Sequence, residues 1–218
     1  MNIIKLLLII IGLLQIHVGM AQSRTWEVGV LGGIPYNVRT PLQIFQHDLP
    51  AIKLQAKYKT EPFQMPIYYD IRVNSWQDQK GWGLKFTHHK LILTNLPPEV
   101  QRFSITDGFN LLTLNRLWSL SGIILSAGAG VVITHPESTI RHKPFPENKG
   151  ILNDGYYISG PTAEIAVAKQ YYFVPRWFVL GESRLTGTWV RVPVTDGQAD
   201  VSNISLHFLA GLGFKIKQ

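Results

Sequence analysis

The regular alternation of apolar and polar residues constrains this chain more than any other feature of its sequence. In its last segment, Ile204, Leu206 and Phe208 alternate with Ser205 and His207. A period of two is typical of β-strands that have one apolar face. After residue 21, no apolar stretch reaches the roughly 20 residues that a membrane-spanning helix needs. The sequence therefore indicates a fold made of strands.

The alternation predicts eight strands, separated by connections of unequal length. The strands are 24–33, 65–75, 81–92, 101–116, 120–134, 157–171, 177–191 and 202–216. The first, third, fifth and seventh connections are long, and the three between them are short. A soluble sandwich would also have alternating strands. Short turns at one end and long loops at the other are typical of outer-membrane barrels. We therefore predict an all-β fold, an eight-stranded antiparallel transmembrane β-barrel, over residues 22–218.

Aromatic residues are sorted along the predicted strands by height. Five tryptophans fall at predicted periplasmic ends: Trp26, Trp76, Trp82, Trp118 and Trp177. Four tyrosines fall at predicted outer ends: Tyr68, Tyr69, Tyr156 and Tyr157. Indole and phenol rings prefer the boundary between membrane and water, so we interpret the two groups as aromatic girdles.

The faces predicted to point inward carry charges of both signs. The acidic residues are Glu27, Asp70, Glu164 and Glu182, and the basic residues are Arg72, Lys85, Arg184 and Lys215. Such a set could form a proton path or narrow pore, or a plug of salt bridges. We favour the plug, because eight strands leave room for little more than side chains and buried charges must be paired. Within the first long connection, the alternating residues Ile52, Leu54, Ala56 and Tyr58 predict a hairpin or a strand above the membrane.

The first 21 residues have the pattern of a secretory signal peptide. Lys5 precedes the apolar run 6–14, and cleavage is expected after Ala21. An uncleaved anchor helix is the alternative, but the run is short for a membrane crossing. The formal net charge is +7. In an exported protein, a basic surface favours lipid phosphate over nucleic acid as its partner. We expect a monomer in the outer membrane, in contact with its lipid and with lipopolysaccharide.

The chain lacks the usual motifs of soluble enzymes, and cysteine is absent, which excludes thiolate metal sites. Three polar residues, His88, Asp107 and His135, fall on predicted lipid-facing positions near the outer ends of neighbouring strands. Imidazole and carboxylate groups there could bind a divalent metal or serve as catalytic acid and base. The alternative is that they lie in the headgroup zone without a chemical role. Lys90 and Arg141 could bind the phosphates of a lipid substrate.

Several short segments resemble the small barrels known as lipid A oxidases. They are 66–69 (PIYY), 82–88 (WGLKFTH) with Lys90, 103–113 (FSITDGFNLLT), 128–132 (GAGVV) with His135 and Glu137, and 159–161 (SGP). The resemblance covers most of the chain after residue 21 but not the segment 41–59. It implies an O2-dependent oxidation of the proximal glucosamine of lipid A to an aminogluconate, with a divalent metal as cofactor. A non-enzymatic barrel that binds a ligand or stiffens the envelope is the second hypothesis.

Overall fold

The computed structural model describes residues 24–146, 150–151 and 154–217. The signal peptide predicted at residues 1–21 lies outside these ranges. Within them, no helix has the length and apolar character needed to cross a membrane.

The described residues form twelve strands. They are β1 (Thr25–Asn37), β2 (Thr40–Gln46), β3 (Ile52–Ala56), β4 (Tyr58–Lys59), β5 (Tyr69–Gln77), β6 (Lys80–Leu93), β7 (Val100–Leu120), β8 (Ile123–Ile140), β9 (Lys143–Pro144), β10 (Tyr157–Val174), β11 (Trp177–Val194) and β12 (Gly197–Lys217). Eight of them close an antiparallel ring in the order β1, β5, β6, β7, β8, β10, β11 and β12, with β12 pairing back to β1. They correspond to the eight predicted strands, so the predicted barrel is confirmed.

The outer surface of the ring is apolar. Its exposed residues include Val30, Ile71, Leu84, Leu114, Ile165 and Phe208. Alternate positions on the same strands point inward and are polar, such as Arg72, Lys85 and Thr113. A closed sheet leaves no unpaired edge, and an apolar exterior matches hydrocarbon. The protein is an outer-membrane β-barrel.

Charged side chains pack the middle of the lumen. Three carboxylates, Asp70, Glu164 and Glu182, lie among three cations, Arg72, Lys85 and Arg184. Some of the ion pairs cross the lumen between β5 and β11, which are not neighbours in the ring: Arg72 Nη1 on β5 is 2.5 Å from Glu182 Oε2 on β11. Arg184 Nη2 on β11 is 2.6 Å from Asp70 Oδ2 on β5. The predicted balance of charge is confirmed for these six residues, and they form a plug.

Glu27 and Lys215 were predicted to belong to the same charge set, but neither forms an ion pair with another residue in the described ranges. Glu27 lies near the periplasmic end, where it accepts hydrogen bonds from Trp76 Nε1 and the Tyr172 hydroxyl, both at 2.7 Å. The Lys215 ammonium lies 5.9 Å from the Tyr172 ring. Glu27 is therefore satisfied by neutral donors rather than by a cation.

Two of the predicted girdle residues point into the lumen instead. Trp76 is buried against Glu27, and the buried Tyr68 hydroxyl lies 3.0 Å from His207 Nδ1. Trp76 shares strand parity with the inward-facing Asp70 and Arg72, which explains its direction. For these two residues the predicted face is wrong.

An apolar cluster closes the outer end of the lumen. Its members are Leu42, Ile44, Ile52, Ala56, Tyr58, Leu91, Leu93, Val100, Phe103, Ile105, Phe109, Leu111, Val132, Ile140, Val190, Val192, Val194, Ala199 and Val201. The hairpin of β2 and β3 supplies part of this cluster and pairs with β12. The predicted hairpin in the first connection is thus confirmed. Burial in this cluster raises the pKa of the Tyr58 phenol.

The seventh connection was predicted to be a long loop, and this is wrong. Strands β11 and β12 remain paired as far as Val194 and Gly197, leaving only Thr195 and Asp196 between them. The strands extend because Val190, Val192 and Val194 face the apolar cluster. Burial of these side chains stabilises pairing above the membrane.

Candidate functional site

A bulge interrupts the outer half of β7. On both sides of this strand the register jumps from Ile105 to Phe109, so the segment 106–108 is not matched residue for residue. Facing it are single residues, Lys90 on β6 and His135 on β8. Bulges re-aim side chains and often occur beside functional sites. This one brings residues of three strands to one place near the outer rim.

Asp107 faces outward as predicted, but the apolar residues that were predicted to share its face do not. Simple alternation placed Asp107 on a lipid-facing side shared with Phe103, Ile105 and Phe109. In the structure these three apolar side chains are at most 2% exposed and belong to the apolar cluster inside the lumen. The Asp107 side chain is 54% exposed on the outside of the wall. At the bulge, three residues, 106–108, take the place of one, so Asp107 turns outward while Ile105 and Phe109 on either side stay inward.

Asp107, His135 and Glu137 form a compact group at the bulge. One ligand atom from each lies within 4.8 Å of the others, and His135 Nδ1 is 3.8 Å from Asp107 Oδ2. His135 is 8% exposed, and its buried Nδ1 has no hydrogen-bond partner among the described residues. Thr106 Oγ1 donates to Glu137 Oε1 at 2.7 Å, and the Arg102 guanidinium pairs with the other carboxylate oxygen. These contacts orient Glu137 while leaving further lone pairs free.

Glu137 was not among the predicted site residues, although a signal for it existed. It follows His135 by two residues, so both lie on the same face of β8. The intervening Pro136 pairs with Ile105 at the edge of the bulge. Sequence reasoning chose His88 instead, because its strand neighbours predict an outward direction.

His88 lies beside this group but is not part of it. Its ring stacks on Tyr69 at 5.2 Å between centroids, with 11° between the planes. Its Nδ1 is 2.8 Å from Asn110 Oδ1, and its buried Nε2 has no partner among the described residues. If the amide oxygen of Asn110 accepts, Nδ1 carries the hydrogen and Nε2 keeps a lone pair.

His88 and Asp107 share one pocket on the outer surface of the barrel wall. It has a volume of about 590 Å³ and is lined by Pro66, Tyr69, Phe86, His88, Asp107, Asn110, Ile133 and Tyr156. The Tyr156 hydroxyl donates to the Asp107 carbonyl oxygen at 3.1 Å, and its ring lies 5.0 Å from that of His135. Burial raises the pKa of Tyr156, and the nearby Asp107 carboxylate raises it further. The phenol therefore stays protonated and can donate a hydrogen bond.

The two predicted substrate-binding cations occupy different places. Lys90 lies at the bulge but is buried, and its ammonium donates to the Gln64 carbonyl oxygen at 2.9 Å. Arg141 lies among the outer connections, where it donates to Gln46 Oε1 at 2.5 Å and to the Pro50 carbonyl oxygen at 2.9 Å. Arg141 does not line the pocket and instead joins β8 to the hairpin of β2 and β3. A role for either residue in substrate binding stays a prediction.

No protein-family model and no curated protein matches the sequence. Solved structures give matches at low identity. Ail, the attachment invasion locus protein of Yersinia pestis, aligns with 90% of this chain and all of its own at 7% identity and a TM-score of 0.40. Neisserial surface protein A aligns with 88% of this chain and 97% of its own, at 10% identity and a TM-score of 0.40. Outer membrane protein AlkL aligns with 92% of this chain and 93% of its own, at 9% identity and a TM-score of 0.46.

Proposed function

We propose that this barrel modifies lipid A in the outer leaflet, by oxidation of the proximal glucosamine. The observation that carries the proposal is the polar pocket on the lipid side of the wall, where His88 and Asp107 lie near His135. Buried polar atoms without a hydrogen-bond partner are costly, and among the described residues His88 Nε2 and His135 Nδ1 are two such atoms. The resemblance to lipid A oxidases supplies the reaction class.

The route to this pocket supports a lipid substrate. The plug of ion pairs and the apolar cluster fill the lumen, so a substrate cannot arrive through the barrel. The pocket instead opens on the wall, next to exposed apolar residues such as Met65 and Ile67. A lipid can diffuse laterally to such a site and place its sugar in the pocket while its acyl chains stay in the membrane.

The reaction must remove two electrons and two protons from the sugar. When C1 of the glucosamine is a free hemiacetal, it loses its hydrogen and the hydroxyl proton, and O2 accepts both with the electrons to become hydrogen peroxide. Hydrolysis of the resulting lactone gives the aminogluconate. His88 Nε2, which carries a lone pair, is the candidate base for the hydroxyl proton. The Tyr69 ring fixes the His88 imidazole, and the Tyr156 hydroxyl oxygen can accept a hydrogen bond from a sugar hydroxyl while it donates to the Asp107 carbonyl oxygen.

The resemblance also implies a divalent metal, and the residues present fit one. Asp107, His135 and Glu137 offer two carboxylates and an imidazole at close quarters, and His135 Nδ1 lacks a partner. When bound, such a metal would supply a Lewis acid for the sugar oxygen and a route for electrons to O2.

Mass spectrometry of lipid A tests the proposal. Cells that express the parent barrel should gain a lipid A species with an oxidised proximal sugar, and cells that express His88→Ala or Asp107→Asn should not. His142→Ala, at an exposed histidine of the outer connections, is the matched control and should keep the modification. An unchanged lipid A profile with abundant folded parent protein would contradict the proposal.

A non-enzymatic barrel is the second candidate function. The filled lumen and the hairpin packed over it favour a rigid envelope protein that presents its outer strands to a ligand. Unmodified lipid A, together with weakened envelopes in cells that lack the protein, would support this alternative.

A further inference from the structure

We infer that Asp107, His135 and Glu137 bind a single divalent transition-metal ion, and that His88 is not one of its ligands. The inference rests on the proposed function and deepens it by assigning the metal ligands, one of which, Asp107, lines the pocket. It differs from the set His88, Asp107 and His135 that alternation suggested. The difference lies in Glu137, which the bulge brings to Asp107.

Geometry supports this set of ligands. Metal–ligand bonds to nitrogen and oxygen are about 2.0–2.2 Å long, so ligand atoms on one ion lie roughly 3–4 Å apart. The atoms of Asp107, His135 and Glu137 are all within 4.8 Å of one another, which small side-chain movements would bring into range. Among the described residues, His88 joins no such group.

An unsatisfied nitrogen gives independent support. Buried polar atoms almost always have a hydrogen-bond partner, so exceptions call for an explanation such as an absent ion. His135 Nδ1 is buried and unpartnered, yet it lies 3.8 Å from a carboxylate oxygen of Asp107. A cation between these atoms would satisfy both.

The charges and donor types indicate the class of metal. Two carboxylates face one nearby cation, Arg102, which pairs with Glu137. Carboxylates suit Mg²⁺, Ca²⁺ and Mn²⁺, whereas an imidazole suits Zn²⁺ and Fe²⁺. One imidazole with two carboxylates therefore favours Mn²⁺, Fe²⁺ or Zn²⁺ over Ca²⁺. Zn²⁺ has no redox chemistry, so the proposed oxidation selects Mn²⁺ or Fe²⁺. The exposed Asp107 leaves a side of the site open for water or a sugar oxygen.

Direct metal binding by the folded barrel tests the inference. The mature protein, refolded in detergent and treated with chelator, would be titrated with Mn²⁺ and followed by electron paramagnetic resonance, with Zn²⁺ and Ca²⁺ as competitors. One Mn²⁺ per chain is expected, displaced by Zn²⁺ and not by Ca²⁺. His135→Ala and Glu137→Gln should each weaken binding by at least about tenfold, since even outer partners of ligands have effects of that size. Asp107→Asn, at an exposed position, should do the same without disturbing the fold.

Two further variants make the assignment falsifiable. His88→Ala and His142→Ala should bind Mn²⁺ as the parent does. For every variant, a difference in gel mobility between unheated and heated samples should confirm that the barrel is folded. Equal loss of binding in His88→Ala, or none in His135→Ala and Glu137→Gln, would overturn the ligand set. Metal binding without any change in lipid A would refute the proposed function and leave this inference standing. Oxidised lipid A from a barrel that binds no metal would refute this inference and leave the proposed function standing.

Discussion

At the scale of single residues, Gly108 leaves room for the Asn110 side chain, which in turn holds His88 by a hydrogen bond. A Cβ added at Gly108 would lie 2.3 Å from Asn110 Nδ2 and 3.2 Å from Tyr156 Cε1. Asn110 is the hydrogen-bond partner of His88, so any displacement of its side chain would release the imidazole. Gly108 in the bulge therefore influences His88 in the pocket through Asn110.

Replacing Gly108 by alanine tests this link. Under the proposed function, Gly108→Ala should reduce the rate of lipid A modification by about tenfold, because a displaced Asn110 would no longer hold His88 by a hydrogen bond and the loss of about 1.4 kcal/mol corresponds to tenfold in rate. Gly187→Ala is the matched control, because an added Cβ there meets nothing within 4 Å. Product formation would be measured by mass spectrometry. Equal rates for the two variants would contradict the link.

The Tyr58 hydroxyl is expected to lower the stability of the folded barrel. It is buried within the apolar cluster and has no hydrogen-bond partner among the described residues. Leaving a buried hydroxyl unpaired costs about 1–3 kcal/mol. Tyr58→Phe should therefore raise the free energy of unfolding by about 1 kcal/mol or more, as measured by urea titration in lipid vesicles. A lower free energy of unfolding would indicate a bound water or other partner.

At the scale of strands, the plug joins elements that are not neighbours in the ring. Lys85 on β6 lies 2.9 Å from Glu164 on β10, just as Arg72 on β5 reaches Glu182 on β11. Backbone pairing holds each strand only to the next one, so these contacts add a direct link across the lumen.

Removing one carboxylate should therefore be costly. Glu182→Ala leaves Arg72 and Arg184 short of a counter-charge, and breaking a buried pair in this way costs roughly 3–5 kcal/mol. Asp200→Ala is the control, because it breaks the exposed Arg191–Asp200 pair, and surface pairs contribute about 0–1 kcal/mol. Urea titration of the two variants compares them. A loss of less than about 1 kcal/mol in Glu182→Ala would contradict the plug.

Strand positions could be predicted because each strand keeps a period of two over many residues. The side of the sheet on which a side chain lies was predicted wrongly where a local irregularity interrupts that period. The bulge at 106–108 leaves no mark in the composition, yet it reverses the direction of Phe103 and Ile105 relative to Asp107. The sequence predicted that His88, Asp107 and His135 lie near one height. It could not predict that Glu137 would join Asp107, because that contact depends on the bulge. The seventh connection was missed because Val190 to Val194 pack on residues that are distant in sequence.

At the scale of the whole molecule, the lumen is blocked at two levels. The ion pairs occupy its middle, and the apolar cluster covers its outer end. Under the proposed function, a lipid substrate would therefore reach its site from the outer surface of the wall.

Conductance measurements test this closure. The purified barrel in a planar lipid bilayer should give no steady ion current. A variant with residues 40–56 replaced by a short Gly-Ser linker should also stay silent, since removing β2 and β3 leaves the ion pairs of the plug in place. Stable channel openings from either protein would show that the plug does not block ions.

The charge-neutral plug has a consequence for the evolution of the chain. Its three carboxylates and three cations are supplied by β5, β6, β10 and β11, and several of them have more than one partner. A single substitution that removes one charge leaves an uncompensated ion inside the membrane, whereas a paired loss does not. Among diverged descendants of this barrel, these six positions are expected to change together, as covarying pairs between strands far apart in sequence. The outward-facing positions beside them can drift independently, provided that they stay apolar.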